Sequence, residues 1–304
     1  MKILMLGGTY FIGLSIVRRL QGRGHITMVN RGSRSIDIPG INLIKCDRRN
    51  TEELAKALIE DYDIVVDVSA YEPSDIHSVL TCLKKPPQKY FYISSAAVYN
   101  REGSAPPFDE NASGGGDSIW GDYGALKYEC EQILGEHMPS QLFILRPPYV
   151  YGPHNYLERE QFIWARLLHQ KSVFVPGDGQ TRVQFCYVED IASFIEHLIF
   201  RSDVAPGAYN IGENRYYSFQ EYIELLAEVS QTTPIIRYVN DPKVSARTYF
   251  PFRNDDLTLN VNKIIRIPGY STTTFLDGIR QTYEWFNAHG SIFYTPTEQE
   301  KAWY

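Results

Sequence analysis

Through its first half the chain alternates short, almost unbroken apolar runs with amphipathic stretches, and few architectures accommodate that rhythm. Residues 2–6 (KILML), 26–30 (ITMVN), 41–45 (INLIK), 63–69 (DIVVDVS), 89–94 (KYFYIS) and 141–146 (QLFILR) read as strands buried on both faces. Between them, residues 12–22, 51–61, 74–84 and 122–137 carry apolar side chains at helical spacing. Strand, helix, strand in repetition predicts a parallel sheet covered by helices on both sides, the doubly wound α/β fold. After about residue 150 the pattern changes. Proline and glycine cluster in YGPHNY and VPGDGQTR, helices are predicted near 158–170, 189–201 and 218–230, and few strands are evident. A smaller C-terminal domain near the carboxyl ends of the sheet is expected, where open α/β sheets bind ligands. Beyond about residue 289 no pattern is readable.

Composition narrows the function classes. With 43% apolar and 22% charged residues, the 304-residue chain has the balance of a soluble globular protein. No apolar run approaches the roughly 20 residues that cross a bilayer, and the opening MKILML reads as a first strand rather than a signal, so a cytoplasmic protein without membrane contact is expected. Cys46, Cys82, Cys130 and Cys186 lie far apart with no CxxC pair, so reduced thiols are expected, with neither disulfides nor a metal site. A net charge of −6 works against nucleic acid as a partner.

The first strand runs into MLGGTYFIG, residues 5–13, and then a predicted helix. Gly7 suits the tight turn out of the strand. Gly13 lets the helix pack close to the sheet while its N-terminal amides face a pyrophosphate. Tyr10 stands where a middle glycine is usual, and Gly8 and Thr9 are expected to supply the missing backbone approach. A plain strand-to-helix turn is the alternative reading. At the end of the second strand, in VNRG, an acid that would take the ribose hydroxyls of NAD is absent; Asn30 and Arg31 hold the place and Arg34 follows. That favours NADP over NAD, because a nearby arginine suits the 2′-phosphate. A solvated loop arginine remains the other reading of Arg31.

Tyr123 and Lys127, four apart in DYGALKYECE, lie one turn from each other on a helix face. A tyrosine with pKa near ~10 is a poor base at neutral pH, and an ammonium one turn away stabilises the phenolate. Ser95, at the strand end SSAAVY, offers a hydroxyl to a substrate oxygen.

The ordered set GGTYFIG, CDRRN, SSAAVY, YGALK, LRPPYVYGP, PGDGQTRVQFCYVED and YNIG resembles the extended and atypical short-chain dehydrogenase/reductases, the NAD-dependent epimerase/dehydratase family, from residue 1 to about 287. Its GGTYFIG, NRG, CDRRN and DVSAYEP elements are most similar to an atypical branch whose usual loop reads GGTRFIG and which also contains plant chloroplast RNA-binding relatives. The resemblance implies a Rossmann domain over 1–152 plus about 186–212, and a substrate domain over about 153–185 and 213–304. It implies Ser95, Tyr123 and Lys127 as the catalytic set. For the dinucleotide it implies the loop residues Gly7, Thr9, Tyr10, Phe11, Ile12 and Gly13, then Asn30, Arg31, Asp47 at the adenine, Arg48, Ser69, Ala70, Tyr71 and Pro147. Arg146 and Asp190 read as structural, and a homodimer is the family expectation.

The same resemblance implies an enzyme that reduces or epimerises a carbonyl or carbinol carbon of a sugar or nucleotide sugar. Ala96 and Ala97 replace the Asp-Glu pair of the dehydratases, which argues against dehydration. Val183 stands where epimerases carry a pyrophosphate-gripping arginine, with Arg182 beside it; Arg253, Tyr149 and Asn155 complete the candidate substrate residues. Two readings of other classes stay open: a non-catalytic NADP-binding regulator, and an RNA-binding protein.

Overall fold

The strand Lys2–Leu6 lies in the interior of a seven-stranded sheet, next to its central strand, in the computed structural model, which describes residues 1–34, 38–290 and 292–303. From one edge to the other the sheet runs Gly207–Asn210, Leu142–Arg146, Lys89–Ile93, Ile64–Asp67, Lys2–Leu6, His25–Asn30 and Ile41–Lys45, every pair parallel. The six strands expected in the first half are all present. Strand order reverses between Lys2–Leu6 and Ile64–Asp67, so a crevice opens at their carboxyl ends, the switch point at which such sheets hold ligands.

Apolar runs form the central strands because both faces are covered. On one face Leu4, Leu6, Val65, Tyr90 and Tyr92 pack with Leu54, Ile76, Val79, Cys130 and Leu134 from the helices Thr51–Ala57, Pro73–Cys82 and Asp122–His137. On the other, Ile3, Met5, Ile16 and Val17 are buried, and helices Phe11–Leu20 and Val188–Ile199 pack on each other. Each fully buried aliphatic side chain contributes about 1.5–3 kcal/mol. The strand Ile41–Lys45 departs from the expectation: it is exposed or half-exposed throughout, because it is the sheet's edge.

The chain divides into two compact units. The first takes Met1–Pro148, Val188–Gly212 and Leu259–Ser271; the second takes Tyr149–Tyr187, Glu213–Thr258 and Thr272–Tyr304. In the second, the short strands that the sequence conceals pair two by two: Phe185–Tyr187 with Tyr149–Tyr151, Tyr217–Ser218 with Arg182–Val183, and Ile235–Val239 with Ser172–Pro176. Its core is aromatic, with Phe185 against Phe275 at 4.3 Å and Tyr149 edge-on to Phe252 at 4.7 Å between ring centroids. The tail is not patternless. Helix Glu298–Trp303 brings Glu300 against Arg166 in a buried two-pronged ion pair, with N···O distances of 2.7 and 2.6 Å.

Candidate active site

The glycine loop turns out of the first strand at the switch point. A Cβ on Gly13 would stand 2.6 Å from the Gly8 Cα, so the helix can start against the loop only with glycine there. Gly8 does not provide the approach expected of it. It is buried, and a Cβ would meet the Met28 sulfur at 2.6 Å and Val17 at 3.0 Å, so this glycine serves core packing. Gly7 and Thr9 are the glycine-loop residues that line the crevice, while the Tyr10 ring lies under the Arg34 guanidinium at 3.8 Å. The helix Phe11–Leu20 has no side-chain cap and no acid in its first turn, leaving the positive end of its dipole for a ligand to complement.

Beside the loop opens a cavity of 260 Å³ lined by Gly7, Thr9, Asn30, Arg31, Asp47, Arg48, Ser69 and Tyr71, all anticipated, together with Ser33, Arg49 and Asp75, which were not. Arg49 stands in the same CDRRN stretch as Asp47, a signal that was available; Asp75 reaches the cavity only through the fold. The Asn30 side chain accepts from the Gly32 N–H at 2.7 Å, and its buried Nδ2 has no partner among the described residues. A buried donor without an acceptor costs about 1–3 kcal/mol, and a ribose hydroxyl or phosphate oxygen would satisfy it. The lining therefore fits a dinucleotide.

Arg48 is the floor of this cavity rather than an arm into it. Its guanidinium grips Asp67 with two 2.7 Å bonds and donates to the Ser69 hydroxyl at 3.0 Å and the Asp75 carbonyl at 2.8 Å. Phe11, Gly13, Ala70 and Pro147 are buried, Ile12 is half-buried, and none of the five lines the cavity; Ala70 and Pro147 act through their carbonyls, on Lys127 and on the Ala96 N–H.

The candidate proton-handling residues lie at the next two strand ends. Lys127 is buried, and its ammonium donates to the carbonyls of Ala70 at 2.9 Å and Ile93 at 2.6 Å, bolting its helix to both strands. Burial draws its pKa down to about 8, against the opposing pull of Asp67. Tyr123, one turn earlier, is 39% exposed. Ser95 accepts from the Ala97 N–H at 3.1 Å and begins the turn Ala96–Val98. Gly124 sets the spacing: a Cβ there would lie 2.0 Å from the Ala97 carbonyl oxygen. We expect Gly124→Ala to destabilise the first unit by about 1–3 kcal/mol and to lower activity by moving Tyr123 away from Ser95. Urea unfolding and turnover check it, and a variant as stable and active as wild type would refute the close approach.

Arg146 works inside the first unit, donating to Glu131 at 3.0 Å and to the Tyr99 hydroxyl at 3.1 Å. The remaining candidates belong to the second unit. Tyr149 is buried, with the Arg159 guanidinium 5.0 Å from its ring centroid; burial pushes its hydroxyl up to about 12, against the pull of Arg159, Arg247 and Arg253. Arg253 lines a cavity of 390 Å³ together with Arg247, a residue that the sequence did not single out. Asn155 is buried and accepts from the Leu157 N–H at 3.0 Å, shaping its own loop. Arg182 pairs with Asp256 at 2.9 Å.

Comparison with known proteins fits this architecture. Residues 3–212 match the NAD dependent epimerase/dehydratase family. The chain is 28% identical to the chloroplast stem-loop binding protein of 41 kDa b of Arabidopsis thaliana, an alignment that covers 93% of this chain and 78% of that protein. It is also 28% identical to the mouse dTDP-D-glucose 4,6-dehydratase over 71% of this chain and 59% of that one. Among solved structures, dTDP-glucose 4,6-dehydratase from Bacillus anthracis in complex with NAD shares the fold with a TM-score of 0.77 at 22% identity, over 95% of this chain and 97% of that one. With the glycine loop, the switch-point cavity and a family match over more than half its length, the chain belongs to the NAD dependent epimerase/dehydratase family, enzymes of the short-chain dehydrogenase/reductase type.

Proposed function

We propose that this protein is a cytoplasmic, homodimeric NADP-dependent reductase or epimerase acting on a carbonyl or carbinol carbon of a nucleotide sugar. The observation that carries the reading is Lys127, a buried ammonium held by two strand-end carbonyls one helical turn from the accessible Tyr123. Tyr123 gives a proton to, or takes one from, the substrate oxygen, Ser95 orients that oxygen, and the Lys127 charge favours the phenolate left between transfers. When bound, the nicotinamide accepts or returns a hydride at the substrate carbon.

Asn30, Arg31, Ser33 and Asp47 would hold the adenosine half of the cofactor, with the loop at Thr9 and the start of the helix Phe11–Leu20 at the pyrophosphate. Two features support NADP over NAD: the missing acid at the end of the second strand and Arg31 in the cavity lining. Arg31→Ala is expected to weaken NADP about tenfold while moving NAD less than about threefold, since one charge-assisted contact of about 1.4 kcal/mol is a factor of ten. Titration of both dinucleotides into both proteins checks this; equal weakening of the two would remove Arg31 from the 2′-phosphate.

Arg253 and Arg247 are the groups proposed for the substrate pyrophosphate. Ala96 and Ala97, buried and without a titratable group, speak against dehydration in spite of the dehydratases among the relatives. Incubation with NADP or NADPH and a panel of UDP- and dTDP-sugars, followed by nicotinamide absorbance and product chromatography, tests the substrate class; no change in any sugar would overturn it. The stem-loop binding relative keeps one other reading in view. A net charge of −6 weighs against it, and RNA binding at low salt would reinstate it.

A further inference from the structure

The residue after Ala70 is a tyrosine whose ring belongs neither to the core nor to the solvent. Tyr71 is 48% exposed, yet its backbone is held firmly: the buried Asp75 carboxylate accepts from the N–H groups of Tyr71 at 2.8 Å and Glu72 at 3.1 Å, and from Arg49 at 2.8 Å. The ring centroid lies 5.5 Å from the Lys127 ammonium and 6.1 Å from the Tyr123 ring, tilted at 45°. The Tyr92 ring centroid stands 4.2 Å from the same ammonium. An aromatic face attracts a cation and excludes water from it.

We infer that Tyr71 is a positioning residue of the proton-transfer centre, a ring that covers the Lys127 ammonium and braces the ring of Tyr123. The inference rests on the acid–base reading of Tyr123 and Lys127. Two backbone carbonyls hold the ammonium from within, and Tyr71 closes the site from the ligand side. The charged and titratable groups around Lys127 are Asp67 at the end of its strand, Arg48 beside it, and Cys130 and Glu131 on its own helix. Asp67, Cys130 and Glu131 favour the charged amine and Arg48 disfavours it, while burial outweighs them all. Removing the cover forfeits the ring's attraction for the cation but lets water solvate the ammonium, and because burial is the largest influence on this amine its titration midpoint rises toward that of an ordinary lysine. Loss of the brace frees the Tyr123 ring and lowers kcat more than it raises KM.

The test is a heteronuclear NMR titration of the Lys127 side chain, assigned with Lys127→Met, in wild type, Tyr71→Phe and Tyr71→Ala, with pH–rate profiles alongside. Tyr71→Ala is expected to raise the Lys127 midpoint by at least about one pH unit and to lower kcat about ten- to a hundredfold. Tyr71→Phe, which keeps the ring, is expected to leave the Lys127 midpoint where it stands in wild type. An unshifted midpoint in Tyr71→Ala overturns the inference, and so does a Tyr71→Phe variant that behaves like the alanine one, since the hydroxyl would then be the active part. Tyr71→Val replaces the alanine variant if that fails to fold. Because the NMR titration needs no substrate, a wild type without turnover would refute the proposed function and still leave the role of Tyr71 to be decided.

Discussion

Replacing Tyr123 by Phe is expected to lower turnover about 10³-fold, within the usual range for a positioned acid or base, while dinucleotide affinity stays within about threefold of wild type. The ring of Tyr123 lies on the first turn of the helix Asp122–His137, and the variant keeps that ring and its contact with Tyr71. What disappears is the hydroxyl proposed to exchange a proton with the substrate oxygen. The loss therefore falls on kcat, with KM little changed. Lys127→Met is expected to follow the same pattern, and it also leaves the Ala70 and Ile93 carbonyls without their donor. Steady-state kinetics on the sugar identified by the substrate panel checks both variants. An undiminished rate in Tyr123→Phe would remove the tyrosine from the chemistry.

Glu300→Ala is expected to destabilise the second unit by about 3–5 kcal/mol, the cost of leaving one partner of a buried ion pair uncompensated. Arg166 and Glu300 are 1% and 0% exposed, so neither charge can turn to water. The Arg166 guanidinium also donates to the Phe162 carbonyl at 2.8 Å, and Glu300 accepts from the Thr297 N–H at 2.6 Å, which holds the terminal helix in register. That helix seats Trp303 against Phe174 and Tyr249, at 4.7 and 5.1 Å between ring centroids. Replacing both partners, Arg166→Met with Glu300→Leu, should recover most of the loss, because the desolvation cost of the two charges goes with them. The urea midpoints of the three proteins give the answer at constant m-value. A Glu300→Ala midpoint equal to that of wild type would show that the pair contributes nothing.

The contrast between these two sites shows what a linear sequence can reveal. Tyr123 and Lys127 are four residues apart, and helix geometry alone puts them on one face. The central strands are equally local in origin: a run such as IVVD can be satisfied only where both faces are covered. Glu300 and Arg166 are 134 positions apart, and nothing near either one signals the partner. Arg48 carries the same lesson, since its bond to Asp67 joins the segment after the edge strand to the end of a strand three places away in the sheet. Gly8 was legible as a glycine that mattered, but its neighbours Met28 and Val17 come from other elements, so the reason did not show. The strand Ile41–Lys45 has the composition of a buried strand and lies at the edge, a position decided by strand order rather than by its residues.

Calorimetric titration of the full chain with NADP, and with NAD alongside, bears most directly on the switch-point cavity as a dinucleotide site. One site per chain is expected, tighter for NADP than for NAD, with the difference diminished in Arg31→Ala. Failure of both dinucleotides to bind would contradict the assignment of the cavity and, with it, the enzyme reading of Tyr123 and Lys127.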